Sequence, residues 1–387
     1  MGVCRRVNFV LGIYAVSTTR RGRAGMSMFQ RWTQPARNFY HDHEPACTVG
    51  LFVFGFLFDT LAVGRIDKLH NIIHQASYLT LCALLTGWEL REQHGRFAPP
   101  ERFKTAWRYH AGATHFMLGT LLNIYTLFYF KSASLGTSFL FLILLVGLLV
   151  ANELKPFENS GTTLRLTLFS LCLVSYFTYL IPTLVGTIGY LPFLGTLLAS
   201  SACIAGLWQW LKRDLPDAEK ILRRHLLIPY AVVAIGFSTL YVLKVIPPVP
   251  LSLSEIGVYH DVRRDGDEFV LSRARSRFRF WERGDQTFRA RPNDKIFCYV
   301  SIFSPTRFSE RLQVRWLYQG READAIALGI TGGRDGGWRG FTAKANWQPG
   351  SWRVRVETSD GRELGRIDLN VIPDDSATPR TLQELRR

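Results

Sequence analysis

From His225 to Ile246 the chain runs without a charged residue except Lys244, and then closes on Pro247, Pro248 and Pro250. At a rise of about 1.5 Å per residue, such a stretch is just long enough as a helix to cross the hydrocarbon of a bilayer. Ahead of it lie further long apolar segments. Behind it apolar runs shorten to strand length and alternate with polar residues. The chain therefore reads as two halves joined at a proline-rich seam, residues 247–254.

Seven apolar segments are expected in the first half, at 48–65, 70–88, 111–130, 133–152, 163–185, 189–211 and 225–246. Basic residues test the count, because Lys and Arg gather in short connections on the cytoplasmic side. Seven Arg precede residue 48, and Arg91, Arg96, Arg102, Lys104 and Arg108 follow the second segment. Lys155 and Arg165 flank the next inner connection, and Lys212, Arg213, Lys220, Arg223 and Arg224 the last. Alternate connections carry only Arg65, Lys68 and Lys131. A cytoplasmic N-terminus and seven crossings place everything after Pro247 outside, in the periplasm of a two-membrane bacterium. Net charge is +16, and because most of the excess sits in these flanks it is assigned to topology, not to nucleic-acid binding.

Residues 1–47 are expected to form a basic cytoplasmic segment. The apolar run Val7–Val16 is too short to span, and Arg20, Arg21 and Arg23 stand where a cleaved signal would need small residues; Met26 and Met28 are alternative starts. Of six cysteines only Cys298 falls after the seam, so an internal disulfide cannot hold the second half.

In residues 255–372 the pattern has period two. Leu312 to Tyr318, Trp352 to Val356, and Ile296, Cys298, Val300 and Ile302 each place alternate apolar side chains on one face. Turn signals recur, with Asp360-Gly361 marking a hairpin. Seven or eight short strands of this kind predict an all-β, immunoglobulin-like sandwich. Residues 373–387 read as a solvated, disordered tail.

Three runs carry a resemblance: Gly337 to Lys344 (with Trp338, Arg339 and Lys344), Pro349 to Val356 (with Gly350 and Trp352), and Asp360 to Gly365 (with Gly361). With Trp316-Leu317-Tyr318-Gln319-Gly320 upstream, they resemble the bacterial family catalogued as domain of unknown function 2914. Phe56 to Asp59, Arg65 to Asp67 and Asn152 to Leu154 look like elements of its multi-pass members. The family has no assigned activity, so the resemblance implies architecture only. Gly340 stands where a bulkier residue is expected.

Few residues offer chemistry. Asp59 interrupts the first apolar segment, and an ionisable group there serves either a proton or ion site or a polar clasp between helices, with His74 as its partner by depth. His70 and His74 lie four apart on one helical face, a metal or haem spacing. His110 and His115, however, belong at the opposite end of the next helix, so the four do not form one site. Glu89 and Glu153 at inner helix ends look routine, and carboxylates and histidines are not expected to converge at one depth. Arg273, Arg275, Arg277 and Arg279 alternate with smaller or apolar residues, which on a strand aligns four guanidiniums on one face. Such a row either receives phosphate or carboxylate groups or is a solvated face that discourages edge pairing. Trp338, Trp347 and Trp352 fit a sugar-stacking platform or a core.

No GxSxG, HExxH, P-loop or dinucleotide fingerprint is present, so the reading leans away from an enzyme and calls for no metal or cofactor. The expected function is an integral inner-membrane protein displaying a sandwich that binds an envelope protein or an anionic polysaccharide. The alternative is a small-solute or ion permease that works through the helices.

Overall fold

The computed structural model describes residues 68–134, 136–152, 161–215, 217–274, 283–333, 337–376 and 378–387. The expected basic N-terminal segment, the first apolar segment with Asp59, and Arg275, Arg277 and Arg279 lie outside the described residues.

Six long helices coincide with the six later apolar segments: α1 Leu69–Gln93, α2 His110–Ser132, α3 Phe139–Asn152, α4 Thr162–Val185, α5 Tyr190–Lys212 and α6 Ala218–Val242. Only α4, α5 and α6 are both long and apolar enough to cross a membrane by composition. The helix α1 carries Glu89, Arg91 and Gln93 in its last turn, and α3 has 14 residues. Three of the seven expected spans are thus clear candidates among the described residues. α6 contains a π turn over Arg223–Leu227. Leu118, Leu121, Tyr125, Phe128, Cys172 and Tyr179 lie in the buried centre of the bundle.

The second half is a β unit of eleven described strands. One sheet has the order β1-β5-β8 and a second the order β4-β10-β9-β6-β7. They comprise β1 Ser252–Tyr259, β5 Ile296–Phe303 and β8 Trp338–Lys344 against β4 Thr287–Ala290, β10 Glu363–Pro373, β9 Gly350–Thr358, β6 Ser309–Tyr318 and β7 Arg321–Thr331. Cys298, Val300 and Ile302 from the first sheet share one core with Val314, Trp316, Trp352, Val354 and Leu369 from the second. That shared core makes the pair a sandwich. Gln319 and Gly320 both take positive φ, 48° and 82°, the conformation a two-residue hairpin loop between β6 and β7 demands.

At His260 the chain leaves the first sheet for a third, of order β11-β3-β2, formed by β2 Asp261–Asp265, β3 Glu268–Arg273 and β11 Gln383–Arg386. This corrects the expected tail. β11 pairs with β3 from Gln383↔Arg273 to Arg386↔Val270, Leu385 packs on the cluster around Tyr259, and Arg380 bonds Asp294 at 2.6 Å. Charge made the segment look solvated, but its acids and bases are consumed by specific partners.

The seam is also corrected. Pro247 to Leu251 is buried throughout, with Ile246 and Val249 in the helical core and Leu251 in the sandwich core. Prolines suit such a place because they bring no N–H that burial would leave unpaired. β1 begins at Ser252, inside the stretch expected to be linker.

Candidate functional site

A concentration of buried polar groups lies where α1, α2 and α4 meet, at the end of the bundle away from the sandwich. Glu89 is buried in the last turns of α1. Its Oε1 accepts from Arg165 Nη2 of α4 and from Gln93 Nε2 at 3.1 Å, and Thr162 Oγ1 is 3.4 Å away. Its Oε2 has no hydrogen-bond partner and faces His110 Nε2 of α2 at 3.8 Å. His110 Nδ1 lies 2.6 Å from the Trp107 carbonyl, which only accepts, so Nδ1 carries the hydrogen and Nε2 is the site open to a proton. The Trp107 indole stacks on the imidazole at 4.2 Å and 9°. Arg91, also buried, donates to the Trp210 carbonyl at 2.8 Å and pairs with Asp214 at 2.8 Å. A carboxylate bound by a guanidinium on one oxygen and facing an imidazole with the other can hold or pass one proton.

Sequence reasoning missed this group. Glu89 and His110 do converge, contrary to expectation, because the end of α1 and the start of α2 fall at the same end of the bundle; Arg165 joins them from the start of α4. The signal was available in the order of segments. Each residue was passed over because charges at helix ends are ordinary.

The other expected residues are dispersed. His70 and His74 are exposed near the start of α1, and the His74 ring lies 4.2 Å from Tyr78, tilted by 54°. The buried polar residue there is Gln75, which accepts from Tyr179 Oη at 2.9 Å. Among the described residues no group of three or more His, Cys, Asp or Glu is placed to hold a metal. Arg273 is half-buried at the end of β3, a central strand.

A different arginine row appears on the polar face of the larger sheet. Arg315, Arg355 and Arg366 stand in register across β6, β9 and β10. Like charges so placed repel, and acids lie between them. Glu357 takes Arg315 at 2.8 Å and Arg355 at 3.0 Å; Glu363 takes Arg355 at 3.3 Å and Arg366 at 3.1 Å. Ser134, from the α2–α3 loop, donates to Glu363. With Glu322 also on Arg315, three acids answer the three arginines, and Glu363 links the row to the helical half through Ser134.

Trp352 is core, at 5.0 Å from the Tyr318 ring and 6.5 Å from Trp316. Trp338 lies across Gly340, where an added Cβ would come within 2.2 Å of the indole; the missing side chain is the space for that ring. Lys344 is buried against Asp324 at 3.1 Å, Arg339 donates to the Asp267 carbonyl at 3.1 Å, Gly350 opens β9, and Gly361 sits in the turn that follows it. Burial pushes the Cys298 thiol up to about 12, which leaves it inert at neutral pH.

Residues 309–371 match the family model described as protein of unknown function (DUF2914). The DUF2914 match runs from β6 into β10 and holds Trp316, Trp338, Arg339, Lys344, Gly350, Trp352 and Gly361. It is narrower than the resemblance over 255–372. No curated protein matches the chain. Among solved structures, an immunoglobulin-like protein from Pseudomonas aeruginosa is 14% identical with a TM-score of 0.19, over 31% of this chain and 98% of that one. A β-glucosidase from Listeria innocua in complex with glucose is 12% identical with a TM-score of 0.17, over 22% of this chain and 15% of its own length. Scores this low leave the fold to be read from the strand pairing itself.

Proposed function

We propose that this chain is a seven-span protein of the bacterial cytoplasmic membrane, N-terminus inside, whose helices hold an immunoglobulin-like sandwich at a fixed attitude in the periplasm for contact with an envelope protein or anionic polysaccharide. The observation that carries this reading is where the sandwich is seated. Among the described residues its contacts with the helical half gather at the ends of α2, α4 and α6 that lead into stretches poor in Lys and Arg. Ser252 donates to the Lys131 carbonyl at 2.5 Å, the Ser309 N–H to the Gly186 carbonyl at 3.0 Å, and the Arg362 guanidinium lies 4.4 Å from the Tyr241 ring centre. Gly186 ends α4 with φ of 82°, and a Cβ there would lie 2.7 Å from the Arg307 carbonyl oxygen. The basic connections lie at the other end, as a cytoplasmic face requires. A domain held at several helix ends presents its far surface in one orientation, which suits recognition better than a free tether does.

Binding of the full chain in nanodiscs to an anionic polysaccharide tests the reading. Loss of binding in Arg275→Ala/Arg277→Ala supports it, and equal binding by variant and parent removes the arginine row from it. The permease reading is favoured by one observation, the Glu89–Arg165–His110 group. It predicts proton-coupled flux in proteoliposomes that Glu89→Gln abolishes, and an absence of flux in the parent would contradict it.

A further inference from the structure

An open bowl of about 790 Å³ lies between the end of α5 and the start of α6, at the end of the bundle opposite the sandwich. Lys212, Lys220, Arg223 and Arg224 line it, against the two acids Asp217 and Glu219. All four cations are exposed, and none forms an ion pair with a described residue. The π turn over Arg223–Leu227 adds a residue to the helix where the two arginines project, and such insertions recur at functional sites. Below the rim the wall turns apolar. Leu215 and Ala218 are buried, while Ile228, Val232 and Ile235 form an exposed stripe descending α6 at helical spacing.

A cationic rim above an apolar stripe is complementary to an amphiphile with an anionic head. We propose that this bowl binds the phosphate headgroup of an anionic phospholipid, with an acyl chain along Ile228, Val232 and Ile235. The inference rests on the membrane reading above, but fails separately from it: a chain that stays dispersed without detergent sinks that reading before any lipid is added. A diffuse cytoplasmic-side charge would attract anionic lipid without needing a bowl, so the test must separate the two.

The full chain in neutral detergent is titrated with dioctanoyl phosphatidylglycerol, dioctanoyl phosphatidylcholine and inorganic phosphate, and bound ligand is counted by native mass spectrometry. The parent should retain phosphatidylglycerol in preference to phosphatidylcholine. Arg223→Gln/Arg224→Gln should weaken that binding about tenfold, and Lys212→Gln/Lys220→Gln should act in the same direction. Arg102→Gln/Arg108→Gln removes equal charge from the same end outside the bowl and should leave binding within about twofold of the parent. Unchanged helical circular dichroism in all three variants ties the losses to binding. Equal losses in bowl and control variants, no headgroup preference in the parent, or displacement of the lipid by equimolar inorganic phosphate would each overturn the proposal.

Discussion

The two halves of this chain dispose of their apolar side chains in opposite ways. In the helices Leu191 is 82% and Leu140 75% exposed, and outward-facing leucines and valines recur along α3, α5 and α6. In the sandwich no large apolar side chain among the described residues exceeds 39%, the value for Ile372. In the apolar stretch of α4, 61% is buried, against only 28% in those of α5 and α6. An apolar surface of that extent is costly in water, whereas the sandwich completes its own core. The halves thus differ in how much apolar surface they leave open, and they meet at a buried seam.

Several substitutions test that contrast. Trp316, fully buried in the sandwich, should cost about 4 kcal/mol of stability when changed to Ala, read from chemical denaturation followed by near-UV circular dichroism. Leu198 lies mid-way along α5 and is exposed. Leu198→Arg should cost about 3 kcal/mol if lipid surrounds it, seen as loss of protein from the membrane fraction. Ala327→Arg, on exposed β7, should cost less than about 0.5 kcal/mol. Equal tolerance at Leu198 and Ala327 would break the comparison.

Acid should act on the sandwich through His260. Its side chain is buried, stacked on Phe288 at 4.1 Å, with Nδ1 unpartnered. Burial, aided by Arg380, lowers its pKa from 6.5 to about 4. Because the folded state binds the proton less readily than the unfolded chain, this group favours folding above pH 6.5. That contribution is lost as pH falls from 6.5 towards 4, by up to about 3 kcal/mol. Asp294 and Asp374 pull the other way without offsetting burial. His260→Phe should flatten the pH dependence of unfolding across that window. At the small end, Arg353→Ala removes an exposed ion pair with Asp368 and should shift stability by no more than about 0.5 kcal/mol.

Much of the architecture was legible in the sequence because hydropathy period reports burial directly. The helices α1 to α6 follow their apolar segments, and Val314, Trp316, Trp352 and Val354 face inward as their alternation requires. What escaped depends on tertiary partners. Pro247, Pro248 and Pro250 read as a linker because proline breaks helices, yet two cores close over them. Arg380 and Leu385 read as tail because nothing nearby in sequence answers them; Asp294 and the Tyr259 cluster do so in space. Gly340 looked anomalous until Trp338 was found lying across it. Glu89, His110 and Arg165 are each ordinary at a helix end, and only their meeting makes them a candidate site.

The central claim is that helices set in lipid carry the sandwich to the far side of the membrane from the basic connections. Paired fusions after Arg387 test it most directly, one reporter active only outside the cytoplasm and one active only within it. The account predicts activity from the first and silence from the second. Activity from the cytoplasmic reporter alone would contradict it.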